Sequence, residues 1–265
     1  MSLADLGGRA LFYERRGSGE PLLLIMGMAG HHKMWDEPLL SGLAEDFDVV
    51  VFDQRGIGAS DDVDGQFTTL DLANDAAALL DQLGWDSAHV MGISLGGMVA
   101  QELVLNHPER VRTLVVGCSY AGGEGSTLES PGVPRMFAAN QTGDAEAAVR
   151  AGYEANLSAT YRADESRWPH FHDLALADRV PIPVVMRQAV AAMMHNTYDR
   201  LPSIERPTAV VHGTADEIIV YQNGPQIASR IPDAALHTLD DVGHLFWMER
   251  TDETLEIIRK LARTA

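Results

Sequence analysis

Gly92-Ile93-Ser94-Leu95-Gly96, set between an apolar run and a helical pattern, constrains this chain more than any other segment. Residues Ala88 to Ile93 read as a buried strand, and Leu95 onward reads as a helix. A strand that turns at once into a helix forces residue 94 into a strained backbone and leaves its hydroxyl at the sheet edge. Glycines two residues to either side fit a site where a side chain would strike a neighbouring strand or helix. The amides at the helix N-terminus then point where an oxyanion would form. The pattern predicts a nucleophilic serine at position 94.

The chain of 265 residues has room for one large core or two modest domains. Its 46% hydrophobic and 22% charged residues fit a globular protein, not a disordered one. A formal net charge of −18 argues against nucleic acid or an anionic membrane as partner, since phosphates call for basic patches. Two lysines, Lys33 and Lys260, stand against eighteen arginines, a bias that carries no functional inference. The single cysteine, Cys118, cannot form an internal disulfide and reads as a small buried residue at a strand end. The first residues lack a basic stretch and a continuous apolar segment, so no signal peptide is expected. No apolar run has the length of a membrane span. These features predict a soluble, cytoplasmic protein.

The first half alternates apolar runs with helical patterns, as βαβ units of a parallel sheet do. Strands are expected at Leu22–Met26, Asp48–Asp53, Ala88–Ile93 and Val111–Cys118. A turn follows at Gln54 to Ser60, and a helix at Thr68 to Leu83 ends on Gly84. Pro108 stops the helix after the serine. Between residues 119 and 201 the alternation is lost, and alanine-rich stretches suggest a helical insertion. Alternation resumes with a strand at Thr208–His212, a helix near Gln222–Ile231, a strand at Ala235–Leu239 and an amphipathic helix at Thr251–Ala262. The expected organisation is a core of residues 1–118 and 202–265 with residues 119–201 inserted as a helical cap.

A serine hydroxyl needs a positioned base, itself oriented by a third group. His244 is the candidate base, on a loop between the last strand and the last helix. Gly243 is read as leaving room for its imidazole. Asp216, which follows the strand at Thr208–His212 through Gly213-Thr214-Ala215, is the candidate acid, ahead of Glu217, Asp240 and Asp241. The oxyanion needs two backbone donors. Leu95 supplies one, and Met28 in Gly27-Met28-Ala29-Gly30 is the candidate for the other.

In these motifs the chain resembles the α/β-hydrolase family. The resemblance rests on Met26-Gly27-Met28, Asp53-Gln54-Arg55-Gly56-Ile57-Gly58-Ala59-Ser60, Gly92 to Gly97, Gly213-Thr214-Ala215-Asp216 and Gly243-His244, in family order. It implies a mostly parallel eight-stranded sheet with helices on both faces and residues 119–201 as a cap over the site. The Asp53–Ser60 turn is structural in such proteins. Met26-Gly27 stands where many relatives have His-Gly, which keeps the backbone donor and removes one side chain. Within the family the chain looks most similar to 3-oxoadipate enol-lactonase and the small carboxylesterases. A serine nucleophile sets it apart from the branches that use aspartate on alkyl carbons.

Trp168, His170, Phe171, His172, Met193, Met194 and His195 of the insertion read as ordinary core before they read as substrate contacts. His31 and His32 read as exposed loop residues. Arg135, Arg150, Arg162 and Arg187 read as solvated charge, with receipt of a substrate carboxylate as the alternative. No metal-ligand spacing and no phosphate-cradling loop is present. The leading expectation is a cofactor-free serine hydrolase of a small carboxylic ester or lactone. The alternatives are C–C bond hydrolysis or perhydrolysis by the same triad, or a ligand-binding protein without catalysis. The oligomeric state, homodimer included, stays open.

Overall fold

The computed structural model describes residues 2–178 and 180–265. Strands β1 (Ser2–Asp5), β2 (Ala10–Arg16), β3 (Glu20–Ile25), β4 (Phe47–Phe52), β5 (Ala88–Ile93), β6 (Val111–Gly117), β7 (Thr208–Gly213) and β8 (Ala235–Leu239) form one sheet. It is eight-stranded, in the order β1-β2-β4-β3-β5-β6-β7-β8. The two pairings of β2, with β1 on one side and β4 on the other, are antiparallel. Every other pairing is parallel.

Alternation along the strands divides the apolar side chains between two cores. Leu23, Ile25, Val50 and Val90 face one, and Leu22, Leu24, Val49, Val51 and Met91 face the other. Helices α1 (Glu37–Ala44), α2 (Thr69–Gln82) and α3 (Leu95–Asn106) lie in the first half of the chain. The second half carries α4 (Gly132–Gln141), α5 (Ala145–Asn156), α6 (Ala159–Arg162), α7 (Trp168–Ala177), α8 (Ile182–Met193), α9 (Asn223–Arg230), α10 (Phe246–Glu249) and α11 (Thr251–Ala262). Leu72, Leu79, Leu95, Leu103 and Ile227 place α2, α3 and α9 on the first core. Leu39, Leu43, Leu255 and Ile258 place α1 and α11 on the second. The helix expected from Thr68 begins with a full capping box, in which the Thr68 side chain and Asp71 satisfy each other's backbone N–H.

Among the described residues, the stretch from β6 to β7 contains helices α4–α8 and no strand. Two expectations for it and its surroundings change. Met193 and Met194 are 76% and 71% exposed, not core, because α8 turns Val184, Gln188, Ala191 and Ala192 inward instead. His31 and His32 are buried, not exposed. The His32 ring and backbone N–H both meet Asp53 Oδ1, at 2.9 and 2.8 Å, which draws this loop into the Asp53–Ser60 turn. Of the arginines in this stretch, Arg135 is exposed as expected and pairs with Glu217, Arg187 bonds both carboxylate oxygens of Asp62, and Arg150 lies 3.9 Å over the Trp168 ring. No described helix is long and apolar enough to cross a membrane.

Candidate active site

The parallel registers of β5, β6 and β7 align Ile93, Gly117 and Val211, so the residues that follow these strands gather at one sheet edge. Ser94 comes directly after β5 with φ at 54°, a left-handed value costly for any residue with a Cβ. Its neighbours hold it there. The Ser94 N–H donates to Gly117 O at 2.9 Å, and Ser94 O accepts from Gly97 N, Met98 N and the Ser119 hydroxyl. A Cβ at Gly92 would lie 2.1 Å from Gly96 O, and one at Gly96 would lie 2.0 Å from Ile25 O. Both glycines are therefore required by packing of α3 against β5 and β3.

The loop Gly27–Gly30 runs beside the serine. A Cβ at Gly27 would stand 3.0 Å from Ser94 Cβ and 3.6 Å from its Oγ. Met28 is 37% exposed, and Ala29 holds a φ of 57°. The Ala29 N–H donates to Gln188 Oε1 of α8 at 2.9 Å, while Gln54 Nε2 donates to Met26 O at 2.6 Å. Leu95 opens α3, where the first amides have no partner within the helix.

On the far side of β6, His244 Nδ1 lies 2.7 Å from Asp216 Oδ2, with both residues buried. Asp216 Oδ1 accepts the N–H groups of Ile218 and Ile219 at 2.8 and 3.0 Å. His212 Nε2 stands 3.3 Å from Asp216 Oδ2 and 2.7 Å from Ile219 O. Burial alone would push the Asp216 carboxyl up. The charges and hydrogen bonds of His244 and His212 overcome it and hold this group well below the usual carboxylate range. It stays an acceptor for the imidazole. Glu217 instead pairs with Arg135, and Asp241 accepts the Thr160 hydroxyl.

Cys118 connects the two halves. Its thiol, one Asp216 oxygen and one His244 ring nitrogen lie within 4.8 Å of one another. Its backbone follows Gly117, the acceptor of the Ser94 N–H, and its φ is 39°. Burial pushes the thiol well above its ordinary range. The structure thus brings Ser94, Asp216 and His244 to one edge, with the Met28 loop and the Leu95 amide beside the serine. Gly243 plays a different part from the one expected. A Cβ there would meet Asn156 O at 2.6 Å and Glu249 Oε1 at 2.9 Å, so it admits the Asn156–Leu157 backbone, not the imidazole.

Sequence reasoning passed over His212, Gln188 and Cys118 as neighbours of the site. Only the strand-end position of His212 and Cys118 signalled them; Gln188 carries no local signal.

The model for the alpha/beta hydrolase fold matches residues 20–251. A poly(3-hydroxyalkanoate) depolymerase of Ectopseudomonas oleovorans is 30% identical over 246 residues, spanning 91% of this chain and 83% of its own. The enol-lactonase from Burkholderia xenovorans has the same fold, with a TM-score of 0.82, 23% identity, and coverage of 98% of this chain and 99% of its own. An N-acyl homoserine lactone degrading enzyme is 28% identical with a TM-score of 0.79, covering 98% and 99%. The chain belongs to the α/β-hydrolase family.

Proposed function

We propose that this hydrolase cleaves a small carboxylic ester or lactone through an acyl-enzyme on Ser94. The observation that carries this reading is the strained serine at the edge of β5, on the same rim as a buried His244–Asp216 pair. In this mechanism His244 takes the proton from Ser94 as the hydroxyl attacks the carbonyl carbon. The amides of Met28 and Leu95 hold the tetrahedral oxyanion, with the N-terminal end of α3 behind them. His244 then protonates the leaving alkoxide. In the second half it draws a proton from water, which attacks the acyl carbon and frees the acid and Ser94. Asp216, kept ionised, fixes the imidazole tautomer and stabilises the imidazolium. No step calls for a cofactor.

Residues 119–201 serve as the cap in this reading, and residues 1–118 and 202–265 as the core. The names of relatives that act on a polyester, an enol-lactone and an acyl homoserine lactone favour an oxygen ester, open or cyclic, as the substrate class. A fluorophosphonate probe tests the reading: wild type should label with one equivalent, and Ser94→Ala should not. Hydrolysis of phenyl esters and lactones should fall by three or more orders of magnitude in Ser94→Ala and His244→Ala. Wild-type turnover in Ser94→Ala would sink the proposal. Preferential cleavage of a ring-cleavage diketone, or of esters only with peroxide, would redirect it to C–C hydrolysis or perhydrolysis.

A further inference from the structure

The loop that carries His244 is bonded to the helical insertion through one side chain the mechanism does not use. Glu249 Oε1 accepts the Gly243 N–H at 2.9 Å and the Ser158 N–H at 2.8 Å, while Oε2 accepts the Ser158 hydroxyl at 2.5 Å. On the other side of the histidine, the Leu245 N–H donates to Asn156 O at 3.1 Å. The amides before and after His244 are therefore both held by the Asn156–Ser158 segment or by the carboxylate bound to it. Gly243 completes the fit, since any Cβ there would collide with Asn156 O and Glu249 Oε1.

Glu249 is itself well anchored. It ends α10, whose Phe246, Trp247 and Met248 are buried. Phe246 packs against Gly117, the residue whose carbonyl holds the Ser94 N–H. Trp247 lies 5.0 Å from Trp35. A carboxylate on so fixed a turn gives charge-assisted hydrogen bonds of defined direction, stronger than neutral ones. The same Ser158 hydroxyl that reaches Glu249 also accepts the Tyr161 N–H and so caps α6. The start of α6 and the histidine loop thereby share one acceptor.

We propose that Glu249 is a positioning residue: it sets the direction of the His244 loop and makes that direction depend on the seating of the insertion at Ser158. This rests on His244 as the base of the proposed hydrolase. A misplaced imidazole slows proton transfer and leaves ester binding intact, so the effect belongs in kcat and not in KM.

The test compares Glu249→Ala, Glu249→Gln and Ser158→Ala with wild type on a phenyl ester, together with hydrogen exchange at the Gly243 amide. Glu249→Ala should lower kcat by about 30-fold with KM within about threefold, and should speed Gly243 exchange by tenfold or more. Glu249→Gln keeps an acceptor for Gly243 and should recover kcat to within about fivefold of wild type. Ser158→Ala, which leaves the Gly243 bond in place, should fall between the two. Equal losses in Ala and Gln, a loss confined to KM, or unchanged Gly243 exchange in Glu249→Ala would overturn the proposal. If Glu249→Ala does not fold, Gly243 exchange and kcat in Glu249→Gln and Ser158→Ala decide it, and wild-type values in Ser158→Ala overturn the link to the insertion. Exchange at Gly243 is read without turnover, so failure of the serine mechanism itself shows separately, as absent fluorophosphonate labelling of wild type.

Discussion

His244 and Asp216 share a 2.7 Å hydrogen bond while Asp216 spends its other oxygen on two backbone amides. The carboxylate is thus anchored by the main chain through Oδ1 and faces the imidazole with Oδ2, which His212 also approaches. Asp216→Asn preserves size and places an amide N–H₂ or a weaker acceptor against Nδ1, which unsettles the tautomer. Ester turnover should fall by about three to four orders of magnitude, with circular dichroism unchanged. A fall of less than tenfold would mean that another group orients His244.

Gln188 extends the same logic to the loop beside the serine. Its Oε1 accepts the Ala29 N–H, while its buried Nε2 has no partner among the described residues. Gln188→Leu strands the amide of Ala29, a residue itself held at φ 57°. Stability should drop by about 1–3 kcal/mol in urea unfolding, and kcat should drop by about tenfold as the Met28 amide loses its aim. Unchanged kcat at reduced stability would limit Gln188 to a packing role.

Asp36 gives a pH signature unrelated to catalysis. Burial pushes its carboxyl up to about 6, with only partial relief from His170. A raised folded-state pKa means that its contribution is fully present below the ordinary carboxylate range and is lost as pH rises through about 6. Above that, the fold holds a buried charge. Asp36→Asn should therefore stabilise the protein by about 2 kcal/mol at pH 8 and leave it unchanged near pH 4. Equal effects at both pH values would show that Asp36 is not charged inside the fold.

Gly96→Ala tests the elbow's packing. Its new methyl would stand 2.0 Å from a carbonyl oxygen of β3, a backbone atom that cannot rotate away. A loss of about 3 kcal/mol or more is expected from thermal melts, along with displacement of α3 and of Ser94. A melting temperature at the wild-type value would show that the sheet yields more readily than this contact implies.

The elbow, the Asp53–Ser60 turn and the capped helix after Thr68 were legible because each is written in a short run of residues. Hydrophobic runs exposed the central strands for the same reason, since a parallel strand covered on both faces reads as unbroken Val and Leu. The edge was not legible. Strand β1 buries only Ala4, and β2 carries Glu14, Arg15 and Arg16, so neither shows a core pattern. Helix α1 also went unnoticed, being short and started by Pro38. Within the site, Ser94, Asp216 and His244 could be chosen by strand-end position and chain order. Glu249, Gln188 and His212 act through partners that folding alone brings near, and the burial of His32 was missed because its anchor, Asp53, lies in the turn after β4.

The lone thiol of Cys118 is sealed inside the sheet edge and held in its unreactive form by burial. A maleimide dye therefore has no native site to compete with one introduced on the surface. A cysteine in place of exposed Met193 would carry a single fluorophore at the end of α8, the helix whose Gln188 holds the Ala29 amide beside the serine.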